Sequence, residues 1–343
     1  MIIGGKMKNI ITTMKEFIKE EYKFLLVMLI LFIVLTYPVN YFIVVGGGIS
    51  DVSSRIQVEN GYKSKGSFNI SYVTELEGTV TTYLLSYLIP TWERDSMNDY
   101  KYTTIETSSD IQFRSELDLK TANSTAIYWA YTLANKELKE TKKDLYVIAR
   151  TEEISSSLKV GDIIESMDNN TYNSTEEYRN YINQKEVGEE ITVKVNRKGK
   201  EREEKVKVQL IDDTKVIGVV LQYLSEYETD PKVNIKFNEE ESGPSGGLIT
   251  TLEIYNQLTK KDTTKGLKIA GTGTIEQDGT IGTIGGIEHK LLGAASAKAD
   301  IFLAPSGKNY KDAIKYKKEK KLKIKVIEAK SIEEVIKTLE DLK

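Results

Sequence analysis

Apolar and polar positions follow several distinct patterns along this chain. The stretch from Phe24 to Val45 is uncharged and almost wholly apolar, which is typical of a membrane-spanning helix. At 1.5 Å per residue it would span about 33 Å, enough to cross a hydrocarbon core of about 30 Å. The pattern predicts a short N-terminal segment at residues 1–23 and a transmembrane helix at residues 24–45.

Basic residues flank this apolar stretch unequally. Arg55 is the only basic residue between positions 46 and 60, whereas five lysines precede the stretch: Lys6, Lys8, Lys15, Lys19 and Lys23. The positive-inside rule then predicts a single-pass protein of the cell membrane, with a cytoplasmic N-terminus and with the residues after the apolar stretch outside the cytoplasm. A cleaved signal peptide and a buried core helix are the alternatives.

Shorter periodic segments follow, and they predict a multidomain α+β fold. Residues 46–142 contain a strand pattern at Ser67–Thr74 and a helix pattern at Leu119–Leu138, and we interpret them as a membrane-proximal spacer or docking region. Residues 143–212 form a β-rich pattern of short strands with one helix at Ser174–Asn183, opened by a capping box. Residues 213–343 alternate helices and strands, as an α/β domain does.

The composition of the chain excludes several kinds of catalytic and binding site. The 343 residues have a formal net charge of −3, no cysteine and one histidine. The charge argues against a nucleic-acid partner, the absence of cysteine excludes thiol catalysis, and a single histidine argues against a zinc site. We expect no metal and no cofactor. Lysines crowd residues 308–325, which indicates either the solvated face of a helix and an edge strand or a surface for an anionic partner.

Two segments carry candidate chemistry. Ser245 lies in Gly-Pro-Ser-Gly-Gly, and Lys290 lies in Ile-Gly-Gly-Ile-Glu-His-Lys-Leu-Leu. A serine hydroxyl needs a neighbouring base, and a lysine is a base only when its amine is neutral. At the reference pKa of about 10.4, roughly one lysine in 2,500 is neutral at pH 7, so the protein must lower the pKa of Lys290 greatly, at a cost of about 4 kcal/mol.

The residues around both positions suit this requirement. Aliphatic side chains flank Lys290 and favour a dry pocket. Apolar residues recur from Gly246 to Leu258 with helical spacing, so Ser245 is predicted at a helix N-terminus. The backbone N–H groups from Gly243 to Gly246 are the candidate oxyanion donors. His289 is the alternative base, but it points about 100° away from Lys290 on a helix, and we favour the lysine.

These motifs resemble the proteolytic domain of Lon-type proteases, from about Val216 to the C-terminus. The resemblance includes Gly-Thr-Gly-Thr-Ile at residues 271–275, where Thr272 occupies the position of the family threonine. It implies a Ser245/Lys290 dyad in which the Thr272 hydroxyl orients the lysine amine. Ser242 stands where ATP-dependent relatives usually have Asp.

The β-rich segment resembles the PDZ domains of bacterial proteases, through its order of elements and the motif Leu-Lys-Val-Gly-Asp-Ile-Ile at residues 158–164. By this resemblance, Leu145, Tyr146 and Val147 form the carboxylate-binding loop, and the adjoining strand edge pairs with a peptide. A purely structural PDZ domain is the alternative.

The combined prediction is a membrane-anchored serine endopeptidase, most like Gram-positive PDZ/Lon-like proteases. No Gly-x-x-x-x-Gly-Lys-[Ser/Thr] motif occurs, so we expect ATP-independent cleavage of extended peptides or mobile segments. The expected partners are such substrates outside the cytoplasm and the lipid bilayer through residues 24–45, and assembly with further copies of the chain is left open. The alternative is a membrane-tethered PDZ adaptor with an inactive peptidase domain.

Overall fold

The computed structural model describes residues 2–151, 156–236 and 241–342. Their backbone divides into two units. The first comprises Met1–Val45 and Thr74–Asp99, and the second comprises Gly46–Val73 and Tyr100–Lys343.

Helices and strands are mixed throughout, so the α+β character is as predicted. The helices are α1 (Ile2–Thr36), α2 (Val80–Leu85), α3 (Ser108–Leu133), α4 (Thr175–Gln184), α5 (Gly247–Leu258), α6 (Ile287–Ser296), α7 (Lys308–Glu319) and α8 (Ile332–Glu340). The strands are β1 (Pro38–Asp51), β2 (Ile56–Val58), β3 (Ser67–Thr79), β4 (Glu93–Ser96), β5 (Glu137–Arg150), β6 (Ile163–Met167), β7 (Glu190–Arg197), β8 (Lys200–Lys207), β9 (Gln209–Ile211), β10 (Thr214–Val216), β11 (Val219–Asp230), β12 (Val233–Ile235), β13 (Lys268–Gly271), β14 (Thr274–Ile275), β15 (Ile281–Gly282), β16 (Ile301–Pro305) and β17 (Lys325–Ala329).

The apolar stretch at residues 24–45 is not one helix. Helix α1 ends at Thr36 and strand β1 begins at Pro38. A proline disfavours helical backbone in the residue before it, and the aromatic and β-branched residues that follow favour a strand. Among the residues that the structure describes, no helix combines the length and apolar character that crossing a membrane requires. The predicted transmembrane helix and the single-pass placement in the cell membrane are therefore wrong.

The C-terminal part of the larger unit is built on a sheet with the order β17, β16, β13, β3, β1. Strand β13 runs parallel to both β16 and β3. Helix α5 packs on one face, where Leu248 and Leu252 meet Phe68 and Ile269. The other face carries Ala270 and Phe302 against the α6 residues: Ile287, Leu291 and Ala294. The segments with Ser245 and Lys290 therefore approach the sheet from opposite faces.

Residues interpreted as a membrane-proximal spacer contribute directly to this core. Strand β3 pairs with β13 from Ser67 to Ile70. Ala126, Ala130 and Tyr131 of α3 are fully buried in the same cluster as α5. The sequence pattern showed the strand and the helix but not their partners, because both pair with segments distant along the chain.

Strands β11, β5, β6, β7 and β8 form a second sheet, in this order. Strands β7 and β8 form a hairpin, and the predicted helix is present as α4, which begins after Ser174, whose hydroxyl accepts a hydrogen bond from the Glu177 N–H at 3.2 Å. The second sheet and α4 share a separate apolar core, in which Leu145, Val147 and Met167 are almost fully buried.

Glu253 is a buried carboxyl group on α5. Its side chain is 1% exposed, and Oε1 accepts a hydrogen bond from Gln257 at 2.6 Å. Burial raises the pKa of this carboxyl to about 7, and repulsion from Asp51 and Asp262 adds to the effect, whereas the Gln257 hydrogen bond opposes it. The folded protein thus holds a proton on Glu253 at a pH where the unfolded chain has released it.

Glu253 should make stability fall as pH rises. Between the unfolded carboxyl pKa of about 4.3 and the folded value of about 7, the folded state binds more protons, so each rise in pH favours unfolding. The loss is nearly complete one unit above the folded pKa and amounts to about 4 kcal/mol. We expect Glu253→Gln to remove most of this loss, measured as the free energy of unfolding in urea at pH 5 and pH 8. Exposed Glu165→Gln is the control, and an equal pH dependence in wild type and Glu253→Gln would contradict the assignment.

Candidate active site

Ser245 is held by the turn that follows β13. Its carbonyl oxygen accepts hydrogen bonds from the Gly273 N–H at 2.8 Å and from the Thr272 hydroxyl at 3.1 Å. The Leu248 N–H donates a hydrogen bond to the Gly273 carbonyl at 3.1 Å. Helix α5 begins two residues after Ser245, so the serine lies at its positive end, as the sequence pattern predicted.

Lys290 lies in the first turns of α6. The N-cap of this helix is Gly286, whose φ of 65° is left-handed and favours glycine. A Cβ at that position would also come within 2.9 Å of Val73 on β3. The glycine therefore allows the start of α6 to approach the sheet closely. The Lys290 side chain is 4% exposed.

The structure brings Ser245, Lys290 and Thr272 together. The Lys290 Nζ lies 3.1 Å from the Ser245 Oγ and 3.2 Å from the Thr272 Oγ1. Because the Thr272 hydroxyl donates its hydrogen to the Ser245 carbonyl, its oxygen is oriented to accept one from Lys290. A hydroxyl and an amine at this separation can exchange a proton directly.

His289 is placed differently from Lys290. His289, the alternative base in the sequence, is only 7% exposed. Its main-chain oxygen would lie 2.6 Å from a Cβ built on Gly47 of β1. His289 thus belongs to the contact between α6 and the sheet, and the amine of the next residue is the group that reaches Ser245.

The two predicted oxyanion donors differ in what they contact. The Gly243 N–H donates to the Ser115 carbonyl of α3 at 2.9 Å, so it is already engaged. Its φ of 81° again favours glycine. Gly246 is the N-cap of α5, directly after Ser245. The contact with α3 fixes the loop before the nucleophile, and sequence reasoning missed it because Ser115 belongs to a helix far away in sequence.

The predicted peptide-binding residues lie in the middle of the second sheet. Leu145 and Tyr146 pair with β6 on one edge and with β11 on the other, and Val147 is fully buried. Both edges of β5 are thus paired at these residues in the described part of the structure. Within the described part of the chain, β11 has β5 as its only strand neighbour, so the outer edge of this sheet belongs to β11.

A cavity of about 500 Å³ lies along this outer edge. It is lined by residues from both faces of β11, including Gln222 and Tyr223, and by Thr125 of α3 and Ser174 at the start of α4. The Tyr223 hydroxyl donates to the Tyr172 carbonyl at 2.8 Å. Burial raises the pKa of Tyr223 to about 12, so the phenol remains neutral at physiological pH. The cavity is thus a largely polar groove beside the edge strand β11, and its lining includes the charged residues Glu140 and Lys143.

Two segments of the chain match known protein families. Residues 137–208 match the PDZ domain family, and residues 233–340 match the Lon protease (S16) C-terminal proteolytic domain family. A Lon protease from Trichlorobacter lovleyi is 34% identical over 95 residues, which are 28% of this chain and 11% of that protein. The chain therefore spans about a ninth of the length of this curated relative.

Two solved structures resemble the β-rich part. The PDZ domain of an SdrC-like protein from Listeria monocytogenes is 29% identical, covering 24% of this chain and 92% of that chain, with a TM-score of 0.23. Its counterpart from Listeria innocua is 29% identical, covering 23% and 92%, with a TM-score of 0.22. From the family matches, the chain contains a PDZ domain followed by a Lon-type proteolytic domain, which supports a serine protease.

Proposed function

We propose that this protein is a serine endopeptidase in which Ser245 is the nucleophile, Lys290 is the base and Thr272 orients the lysine. The observation that carries the proposal is the 3.1 Å separation between the Lys290 Nζ and the Ser245 Oγ at the N-terminus of α5. The match of residues 233–340 to a proteolytic domain supports it independently.

The chemistry follows from this geometry. The neutral Lys290 amine accepts the Ser245 proton while the Ser245 Oγ bonds to the carbonyl carbon of the substrate. The same proton then passes to the leaving nitrogen as the peptide bond breaks, which leaves an ester on Ser245. Lys290 next takes a proton from water as the water oxygen bonds to the ester carbonyl carbon. The bond between that carbon and the Ser245 Oγ then breaks, the Oγ takes the proton back from Lys290, and the acid product leaves. The N-terminus of α5, with the Gly246 N–H, faces the negative charge on the substrate oxygen.

Two features of its surroundings favour the neutral form of the Lys290 amine. Its side chain is almost completely removed from water, and desolvation penalises an ammonium. Lys290 also lies near the N-terminus of α6, which begins at Ile287, and the positive end of a helix dipole disfavours a cation. Both effects act in the direction that a general base requires.

We also propose that cleavage needs no ATP and that the substrates are extended segments. The sequence lacks a phosphate-binding Gly-x-x-x-x-Gly-Lys-[Ser/Thr] motif, so its own residues supply no ATP-driven unfolding. Peptides and mobile protein segments already have the extended backbone that such a site accepts.

The open edge of β11 is the proposed place where an extended substrate first binds. A strand edge offers main-chain hydrogen bonds to any extended peptide, and the adjoining cavity leaves room for its side chains. Strand β11 is followed by β12 and then by the segment that carries Ser245. A segment held at β11 therefore raises the local concentration of substrate near the dyad.

Removing either member of the dyad should abolish cleavage. We expect Ser245→Ala and Lys290→Ala each to lower kcat/KM for an unstructured protein at least about 1,000-fold, because each removes a group that takes part in the transition state. Fragments are measured by mass spectrometry without ATP. His289→Gln is the control and should retain most of the activity if the melting temperature is unchanged. Loss of activity in His289→Gln, together with its retention in Lys290→Ala, would favour a serine/histidine mechanism instead.

Filling the cavity beside β11 should impair long substrates selectively. Thr125→Trp places a large ring in the groove, and we expect it to raise KM about tenfold for a long unstructured protein while leaving a short peptide unaffected. Lys120→Trp, at an exposed position of the same helix, is the matched control. An equal change for long and short substrates, or none for either, would refute substrate binding at this edge.

A further inference from the structure

Ser71 carries a buried hydroxyl with an unusual environment. The residue is 0% exposed, and among the residues that the structure describes its Oγ has no hydrogen-bond partner. An unpaired hydroxyl in a protein interior costs free energy, and most such groups are bonded. A hydroxyl left in this condition indicates a partner that forms in another state of the protein.

The sheet register places Ser71 level with Thr272. Strands β3 and β13 are parallel, and Gly271, the last residue of β13, lies beside Ile70. The next residue after Ile70 is Ser71 on β3, and the next residue after Gly271 is Thr272. Both hydroxyl-bearing residues are therefore at the same end of the sheet, where β13 turns toward the dyad.

The alternation of side chains along β3 shows which face Ser71 occupies. Ile70 lies on the α5 face, since it would be 2.9 Å from a Cβ on Gly246. Val73 lies on the α6 face, since it would be 2.9 Å from a Cβ on Gly286. Successive residues of a strand point to opposite faces, so Ser71 shares the α6 face with Val73.

The same face receives the lysine amine. Lys290 belongs to α6, and its Nζ lies 3.2 Å from the Thr272 Oγ1. The Ser71 hydroxyl thus lies in the same row as the threonine that already bonds Lys290, and on the side of the sheet from which Lys290 comes. This arrangement brings a second hydroxyl oxygen to the surroundings of the amine.

We infer that Ser71 is a positioning residue for Lys290, and that its hydroxyl accepts a hydrogen bond from the Lys290 ammonium while that side chain holds the proton taken from Ser245. The inference rests on the proposed function. An ammonium has one more N–H group than the neutral amine, and a hydroxyl oxygen has two lone pairs to accept it. A bond that forms only in the charged state stabilises the transition state and not the resting enzyme.

The test uses a matched pair at one position. Ser71→Thr retains the hydroxyl and Ser71→Val replaces it with a methyl group of similar shape. We expect kcat of Ser71→Val to be about tenfold below that of Ser71→Thr, with KM unchanged, because a hydrogen bond to a charged group is lost. The acid limb of the pH profile of kcat/KM should move to lower pH, since the ammonium loses an acceptor. Ser67→Ala, on the same strand and face, is the control.

A second readout needs no turnover. The Lys290 side chain is titrated by carbon-13 NMR, with its resonance assigned by its absence in Lys290→Met. A lower Lys290 pKa in Ser71→Val than in Ser71→Thr supports the inference, and equal values in the pair overturn it. If valine disturbs packing, as shown by the melting temperature, Ser71→Ala replaces it. The other titratable groups on α6 and on α7 and β13, which pack against it, stay unchanged within the pair: Lys268, Glu288, His289, Lys308, Tyr310, Lys311, Asp312, Lys315, Tyr316, Lys317, Lys318 and Glu319.

Failure of this inference is distinct from failure of the proposed function. If wild type cleaves and Lys290→Ala does not, but the Ser71 pair titrates identically, only the role of Ser71 is refuted. If wild type does not cleave at all, the peptidase proposal fails, and the NMR comparison still decides whether Ser71 bonds the ammonium.

Discussion

The contact between the Lys290 amine and the Ser245 hydroxyl is the interaction on which the rest of this site depends. A lysine on a solvated surface would be charged and of no use as a base, so the fold must keep the amine dry and still within reach of the serine. The burial of the Lys290 side chain provides the first condition. The turn after β13 provides the second, because it binds the Ser245 carbonyl through Thr272 and Gly273.

Parallel strand topology explains how distant residues meet here. Strand β13 ends between β3 and β16, and the residues that follow its carboxyl end face the N-termini of two helices, α5 and α6, on opposite faces. The carboxyl ends of parallel strands are where open α/β sheets commonly place functional groups. Here that edge supplies Thr272 directly and brings Ser71 alongside it.

Local patterns in the sequence were sufficient to predict the helix that follows Ser245 and the helix that carries Lys290. The apolar spacing and the flanking glycines of these helices are encoded within a few residues. Local patterns failed at residues 24–45, where hydropathy alone did not distinguish a long helix from a helix followed by a strand of aromatic and β-branched residues. They also could not show that β11 covers β5, that Ser115 engages the Gly243 N–H, or that Ser71 lies beside Thr272. Each of these depends on pairing between segments far apart in the chain.

The most direct measurement of the central claim is the rate at which an alkyl fluorophosphonate modifies the protein, with the adduct located by mass spectrometry. This reagent reports nucleophile activation without requiring a natural substrate. The account predicts modification at Ser245 in the wild type, at a rate that rises with pH as the Lys290 amine loses its proton, and a rate at least about 100-fold lower in Lys290→Ala. Equal rates in the two proteins, or an adduct on another residue, would contradict it.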